Sequence, residues 1–364
     1  MILPGTLMAI DQLLQFAVKH GISDIHLRAG RPAYFRRDGQ LVTRKGASVI
    51  TEAQMSQWFN MMAKGPHQGS FVRLSEVDFG YSLEGAGRFR VNVFRQRGKM
   101  AMVLRHIPQA VPTLEDLGLP ESVGDIALSP RGIVLVTGAT GSGKSTTMAA
   151  MVQAVNASRA CHILTIEDPI EFVFEDDKAM ISQREIGADT SGFAMALKAA
   201  LRQDPDVILL GELRDLETVE TALHAAETGH LVLATLHTVD AMETIGRLVG
   251  MFPPHQQEQV RYQLSTILRA VVSQRLVRTR QGGRVAACEI LIHTELIREL
   301  IADPSRTYEL PIAIAAGRDV YGMQTFDQAL HDLVKSNRLT IQEALVHATN
   351  PADLKLRFDG IAMS

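Results

Sequence analysis

An apolar run, Ile133-Val134-Leu135-Val136, leads directly into Gly138-Ala139-Thr140-Gly141-Ser142-Gly143-Lys144-Ser145, and helix-compatible sequence continues from Thr146. Strand, glycine-rich loop, Lys-Ser and helix in that order constrain the fold more than any other feature. They call for an α/β layer with the loop at the carboxyl end of a strand. The G-x-x-x-x-G-K-S spacing lets the backbone turn tightly and aim its N–H groups at phosphate oxygens, while the helix begun by Ser145-Thr146-Thr147 adds its positive end. Lys144 then serves the β and γ phosphates as a point charge, and the Ser145 hydroxyl serves Mg²⁺. The ligands implied are a nucleoside triphosphate, read as ATP, and Mg²⁺.

Composition narrows the classes around that loop. A chain of 364 residues with 46% hydrophobic content can bury two ordinary cores. A formal net charge of −3 gives no bulk basic field for nucleic acid or acidic lipid, and 5% aromatic residues leave few stacking platforms, so no nucleic-acid partner is expected. The two cysteines, Cys161 and Cys288, form no C-x-x-C and offer neither a disulfide framework nor a zinc site, which fits a reducing cytosol. Leu7, Ile10, Leu13, Leu14, Ala17 and Val18 recur at helical spacing, but Asp11 and Gln12 interrupt them and no small-residue cleavage site follows. This reads as an amphipathic core helix, not a signal peptide. No run approaches the roughly 20 apolar residues needed to span a bilayer.

The organisation expected is α/β with a smaller α+β domain over residues 1–107, a linker over 108–120 marked by Pro108, Pro112 and Pro120, a phosphate-loop domain over 121–293, and a helical C-terminal region over 294–364. The first domain has a helix near 7–20, short strands around His26-Leu27 and Ala33–Phe35, a helix from Thr51 to Met62, and alternating strands from Val77 to Leu104. In the second, strands Ile133–Val136, His162–Ile166, Val207–Leu210 and Leu231–Ala234 alternate with helical stretches, the pattern of a parallel sheet covered on both faces. Helices are expected over Glu295–Ile301, Thr325–Ser336 and Ile341–Ala348.

Three strand ends carry candidate chemistry. The buried run Val207-Ile208-Leu209-Leu210 ends in Gly211-Glu212, so Glu212 emerges on the ligand side of the sheet and can act on the Mg²⁺ shell. His162–Ile166 ends in Glu167-Asp168-Pro169-Ile170-Glu171, three carboxylates in one turn, from which a base or water-orienting group can come. A solvated acidic turn is the alternative. Leu231–Ala234 runs on to Thr235-Leu236-His237-Thr238, which places His237 as a γ-phosphate sensor rather than a structural histidine.

The segment Leu201–Asp215 resembles the signature of the secretion ATPase superfamily, the motors of type II secretion, type IV pili and type IV secretion. Thr165–Glu171 resembles its Asp box, and Thr228-Gly229-His230 through His237 its His box. Within it the chain is similar to the twitching-motility ATPases of the PilT and PilU kind, which power pilus retraction. Ser23–Leu27, Gly87–Asn92, Pro130-Arg131-Gly132 and Gly322–Leu330 extend the likeness over nearly the whole chain. The resemblance implies a PAS-like N-terminal domain joined by a flexible linker to a RecA-like ATPase domain, in a homo-hexameric ring that is cytoplasmic and docks peripherally at an inner-membrane pilus machine. Its implied partners are the inner-membrane platform protein of a type IV pilus and a paralogous retraction ATPase. It gives Glu212 as the Walker B acid, Glu171 as general base and His237 as sensor. Arg90, Arg105 and Arg131 become the arginines that close on the nucleotide or the neighbouring subunit. The proline-marked linker then works as a hinge that swings Arg90 and Arg105; the alternative is a solvated strand face of Arg88, Arg90, Arg95, Arg97 and Arg105.

Two departures bear on the role. Retraction ATPases carry a tail motif close to A-I-R-N-L-I-R-E, whereas Leu296–Asp303 keeps Arg298 and has Ala302 in place of the second arginine. With the wording of Gly322–Leu330, this points toward the accessory, PilU-like paralogue. Neither a long N-terminal extension nor a four-cysteine zinc insertion is present, which favours retraction over assembly motors. Other readings are a motor of a related secretion or conjugation system, a nucleic-acid translocase on the same core, and a regulatory nucleotide-binding module with weak hydrolysis.

Overall fold

The computed structural model describes residues 9–37, 40–43, 46–107 and 110–360. Leu7 of the expected first helix, Pro108 of the expected linker and the last four residues of the C-terminal region lie outside the described residues. The chain divides into two compact units: Met1–Ala110 with Glu167–Val173 and Gln183–Gly192, and Val111–Ile166 with Phe174–Ser182 and Phe193–Ser364.

In the first unit, Ile10, Leu13, Leu14 and Ala17 are buried along one stripe of helix α1 (Ile10–Lys19). Strands β1 (Asp24–Arg28), β2 (Tyr34–Arg37) and β3 (Gln40–Thr43) are followed by helices α2 (Glu52–Met62) and α3 (Gly65–Leu74). Three longer strands come next, β4 (Glu76–Leu83), β5 (Gly87–Gln96) and β6 (Lys99–Ile107). Thr51 caps α2 through the Gln54 N–H and receives the Gln54 side chain in return, which fixes that helix start at its expected place. Helix α3 goes beyond the sequence expectation. Gly65, Pro66 and Gly69 argue against it, yet proline at the first helical turn costs no hydrogen bond.

The strands form one antiparallel sheet in the order β3-β2-β1-β6-β5-β4. Strand alternation divides its faces. Phe89, Val91 and Val93 of β5 join a core with Leu104, Met55 and Phe59, while Arg88, Arg90 and Asn92 point to the opposite side. There each arginine meets a carboxylate. Arg105 Nε lies 2.8 Å from Asp24 Oδ1, Arg90 Nε 3.5 Å from Asp78, and Arg88 is paired with Glu185. Burial acts to raise the Asp24 carboxyl, but hydrogen bonds from Arg105 and Ser23 more than offset it and hold the group below the usual range.

Arg88 departs from a solvated strand face. It and Glu185 are 16% and 3% exposed, and Glu185 also accepts the N–H groups of Gly80 at 2.9 Å and Ile170 at 3.2 Å. Arg88→Ala strands a buried carboxylate and is expected to cost about 3–5 kcal/mol. Glu185→Gln keeps an acceptor for both backbone donors and should cost less. Urea unfolding followed in the first unit checks this order, and equal midpoints for Arg88→Ala and wild type would contradict it.

In the second unit, helix α4 (Glu121–Ala127) precedes strand β7 (Gly132–Thr137), helix α5 (Lys144–Ser158) and strands β8 (His162–Glu167) and β9 (Met180–Glu185), whose last residues, Glu167 and Gln183–Glu185, count with the first unit. Helix α6 (Phe193–Ala200), strand β10 (Val207–Leu210), helix α7 (Leu216–Glu227), strand β11 (Leu231–Leu236), and helices α8 (Ala241–Gly250) and α9 (Gln257–Ile267) follow. A long pair, β12 (Leu268–Arg278) and β13 (Arg284–Ile292), closes the sheet. The order is β13-β12-β7-β11-β10-β8-β9, with β12, β7, β11, β10 and β8 parallel. Val134, Val136, Leu209 and Leu233 pack on one face with Val123 of α4 and Met151 and Val155 of α5. Ile133, Leu135, Leu210 and Val232 are equally buried on the other, where α7 lies.

The expectation of a parallel sheet holds for those five strands and misses the β12–β13 hairpin, which is antiparallel. Its turn uses Gly282 and Gly283, at φ 86° and 84°, the left-handed pair that matches strand twist. Beyond it come α10 (Glu295–Ala302), α11 (Leu310–Ala316), α12 (Arg318–Tyr321), α13 (Phe326–Lys335), α14 (Ile341–His347) and α15 (Pro351–Phe358). The tail is as helical as expected and is not an appendage: Leu330, Ala344 and Leu354 share a core with Val277 and Val285 of the hairpin.

Candidate nucleotide site

The loop between β7 and α5 is held from below. Gly138, at φ 143°, lies so close to β12 that a Cβ there would meet the Gln274 carbonyl oxygen and Ser142 Oγ at 2.5 Å, so only glycine fits. Gln274 also donates to Thr147 Oγ1 of α5 at 2.8 Å, and Thr137 Oγ1 donates to Ser273 Oγ at 2.9 Å. Lys144 is 8% exposed, with Nζ 2.7 Å from the Gly138 oxygen and 3.1 Å from the Ala139 oxygen. A lysine so buried gains from an anion that replaces lost hydration. The buried Ser142 hydroxyl finds no protein partner, and Ala139, Thr140, Gly141, Ser145 and Thr146 complete an open rim at the start of a fifteen-residue helix. Orphaned donors, a buried ammonium and a helix N-terminus suit a polyphosphate.

Strand order decides what faces this loop. The chain leaves β7 for β8 at the far side of the sheet and returns through β10 to β11, which lands between β10 and β7. The residue after β11, His237, therefore stands between Lys144 and Glu212. His237 Nε2 is 3.2 Å from Glu212 Oε1 and Nδ1 is 3.5 Å from Lys144 Nζ. With the ammonium donating to Nδ1, the imidazole carries its proton on Nε2 and donates it to the carboxylate. Arg214 Nη2 holds the other oxygen, Glu212 Oε2, at 2.8 Å. Thr235 Oγ1 donates to the Gly211 oxygen at 2.5 Å, fixing the turn before Glu212. The Glu212 carboxylate, the imidazole and the ammonium thus form one line beside the loop. Ser145 and Glu212 are the residues here that would hold Mg²⁺, a hydroxyl and a carboxylate being donors that ion accepts.

The remaining candidates divide. Arg131 is exposed at the start of β7, six residues and about 20 Å of extended strand from the loop, so its side chain is not a ligand of the loop in its own subunit. Of its two expected roles, that leaves closing on the neighbouring subunit. Arg90 and Arg105 lie in the first unit, in the pairs with Asp78 and Asp24. Glu171 belongs to the same unit, half-buried, with its N–H 3.4 Å from Glu167 Oε2. Glu167 Oε1 accepts from Gln183 at 3.3 Å, so one of the three expected acids braces the turn of another.

Arg214 and Gln274 join the site without having been singled out. Arg214 had a signal, since two residues beyond Glu212 in extended chain is the same side. Gln274 had only its place as an amide inside an apolar strand. Cys288, its neighbour at 3.8 Å, is fully enclosed and burial pushes its thiol up to about 12, which makes it inert.

Comparison with known proteins adds four likenesses. The Type II/IV secretion system protein family matches residues 6–357. The chain is 46% identical over 344 residues to the type IV pilus retraction ATPase PilT of Pseudomonas aeruginosa, covering 94% of this chain and 99% of that one. It is 41% identical over 350 residues to the type IV pilus ATPase PilU of the same organism, covering 96% and 91%. A crystal structure of the pilus retraction motor PilT with bound ADP superposes with a TM-score of 0.88 at 45% identity, covering 96% of this chain and 99% of that one. The fold is the RecA-like ATPase domain with a PAS-like N-terminal domain and a helical tail. No helix among the described residues is long and apolar enough to cross a membrane.

Proposed function

The chain belongs to the Type II/IV secretion system protein family and is an ATPase, and from that premise we propose that it drives retraction of a type IV pilus, and so twitching motility, by Mg²⁺-dependent hydrolysis of ATP. The observation that carries this reading is the likeness to a pilus retraction ATPase along almost the whole of both chains. Six copies form the working ring, docked from the cytoplasm on the inner-membrane platform protein of the pilus machine.

The loop Gly138–Ser145 with Thr146 binds the phosphates, and Lys144 turns from the Gly138 and Ala139 carbonyls to the β and γ oxygens. Ser145 and Glu212 would hold Mg²⁺, which would supply charge neutralisation at those oxygens. Glu171 is the general base. His237 reads the γ-phosphate and, through Nε2, reports it to Glu212. Arg90 and Arg105 exchange Asp78 and Asp24 for phosphate oxygens of their own or a neighbouring subunit, and Arg131 acts across a subunit boundary. Ala302, where retraction ATPases have a second arginine, favours a second reading in which the chain is an accessory motor beside a paralogous retraction ATPase.

Deletion of the gene tests the direction of work. Pili are expected to remain on the cell surface, or increase, while twitching falls; loss of surface pili would mark an assembly motor instead. Unchanged twitching that is lost only when a second retraction ATPase is also weakened would select the accessory role.

A further inference from the structure

Glu289 is a lone acid inside the apolar strand β13 and is 7% exposed. Its Oε1 accepts the N–H of Ala241, the first residue of α8, at 2.9 Å. Ala241 ends the short connection that begins with His237. Beyond His237 itself, which meets Glu212 and Lys144, the connection is tied to its own helix: Asp240 accepts the Glu243 N–H at 2.7 Å, Glu243 accepts the Val239 N–H at 2.9 Å, and Thr238 Oγ1 meets Thr244 Oγ1 at 2.6 Å. Glu289 fastens the far end of the turn carrying His237 to strand β13.

The same spot faces the tail. On the adjacent strand, Arg275 lies two residues along from Ser273, the residue opposite Glu289. It donates to the His347 oxygen at 2.7 Å and to Thr349 Oγ1 at 3.3 Å, and its guanidinium sits 3.7 Å over the Phe326 ring of α13. Asp327 of α13 accepts the N–H groups of Thr349 and Asn350 at 2.7 and 2.9 Å. The half-buried Arg275 thus feels the charge of three carboxylates, Glu289 of β13, Asp240 at the start of α8 and Asp327 of α13.

We propose that Glu289 is a positioning residue for His237: through the Ala241 N–H it sets where the β11–α8 turn holds the imidazole, and beside Arg275 it joins that turn to the C-terminal helices α13–α15. The inference rests on His237 being the residue that reads the γ-phosphate. Two hydrogen-bonded arms leave neighbouring strands, one to the turn beside the nucleotide site and one to the tail. A shift of the turn is then felt by the tail, and the tail's packing is felt at His237.

The protonation behaviour of Glu289 agrees with an enclosed anchor. Burial raises its carboxyl to about 7, with Asp240 and Asp327 adding to the rise and the Ala241 N–H and Arg275 opposing it. A carboxyl raised in the folded state above its ordinary 4.5 binds its proton more tightly when folded. Its contribution to stability is therefore full below about 4.5 and declines as pH rises to about 7. Glu289→Gln should flatten that part of the stability profile.

The test is steady-state ATP hydrolysis by the purified full chain carrying Glu289→Ala, Glu289→Gln, Ala241→Pro or His237→Ala, with KM for ATP and ADP affinity measured on each. Glu289→Ala is expected to lower kcat about tenfold or more while KM and ADP affinity stay near wild type, as for loss of an outer partner that orients a working group. Glu289→Gln keeps the acceptor and should restore most of the rate. Ala241→Pro deletes only the donor, at the helical position where proline fits and after a residue, Asp240, already extended at ψ 173°. It should reproduce the Glu289→Ala loss, and it decides the matter if Glu289→Ala does not fold. Wild-type kcat in Ala241→Pro or Glu289→Ala, with His237→Ala inactive, would overturn the proposal. Wild-type turnover in His237→Ala would instead remove the reading of His237 on which it rests.

Discussion

Lys144→Ala is expected to lower kcat/KM for ATP by about 10²- to 10³-fold, with nucleotide affinity falling alongside kcat. The reason lies in burial as much as charge. At 8% exposure the ammonium is held by the Gly138 and Ala139 oxygens and by His237 Nδ1, a set that faces the mouth of the loop. Removing it takes away a buried positive charge at the loop. It also leaves the imidazole without its donor on Nδ1, so the proton on that ring is no longer confined to Nε2. Phosphate release and fluorescent-ADP titration on the same preparation check both halves. A variant that bound ADP weakly but turned over normally at saturation would show that the lysine serves binding alone.

Glu212→Gln is expected to have the second largest effect and a different profile: turnover down by about 10²- to 10⁴-fold with ATP binding retained. Glu212 accepts from His237 on one oxygen and from Arg214 on the other. An amide can accept on only one side and must turn an N–H toward a donor on the other, so the substitution breaks the line from Glu212 to His237 or frees Arg214. Binding depends on the loop and survives. Equilibrium binding of a non-hydrolysable ATP analogue, set against single-turnover hydrolysis, separates the two; weakened binding with a normal rate per bound ATP would place Glu212 in binding alone.

What sequence made legible followed from local rules with strong signals. The phosphate loop announces itself because glycine spacing, Lys-Ser and a following helix have few other uses, and Glu212 and His237 follow because strand ends of a parallel sheet share one edge. Strand order was beyond reach: nothing in the residues says that β11 inserts between β10 and β7, and that insertion is what puts His237 between Lys144 and Glu212. The β12–β13 hairpin carried a visible signal in Gly282-Gly283 between two apolar runs, but the helical stretches on either side masked it. Arg88 was indistinguishable from Arg90 by alternation. Only the distant Glu185, 97 residues away, makes one a buried pair and leaves the other half exposed. Arg131 is near the loop in sequence, yet six residues of extended strand separate the two. Glu289 was readable as an acid within Ala286–Ile292, yet its partner Ala241 lies 48 residues away and is invisible without the fold.

Turnover depends on a single metal-dependent site in which the loop binds and the Glu212–His237 line acts. Phosphate release from ATP by the purified full-length wild type, first with excess Mg²⁺, then with EDTA, then with Mg²⁺ restored, tests that most directly. Turnover that disappears with EDTA and returns with Mg²⁺, and that Glu212→Gln lacks under all three conditions, is the predicted result. Equal phosphate release with EDTA, or turnover in Glu212→Gln matching wild type, would contradict it.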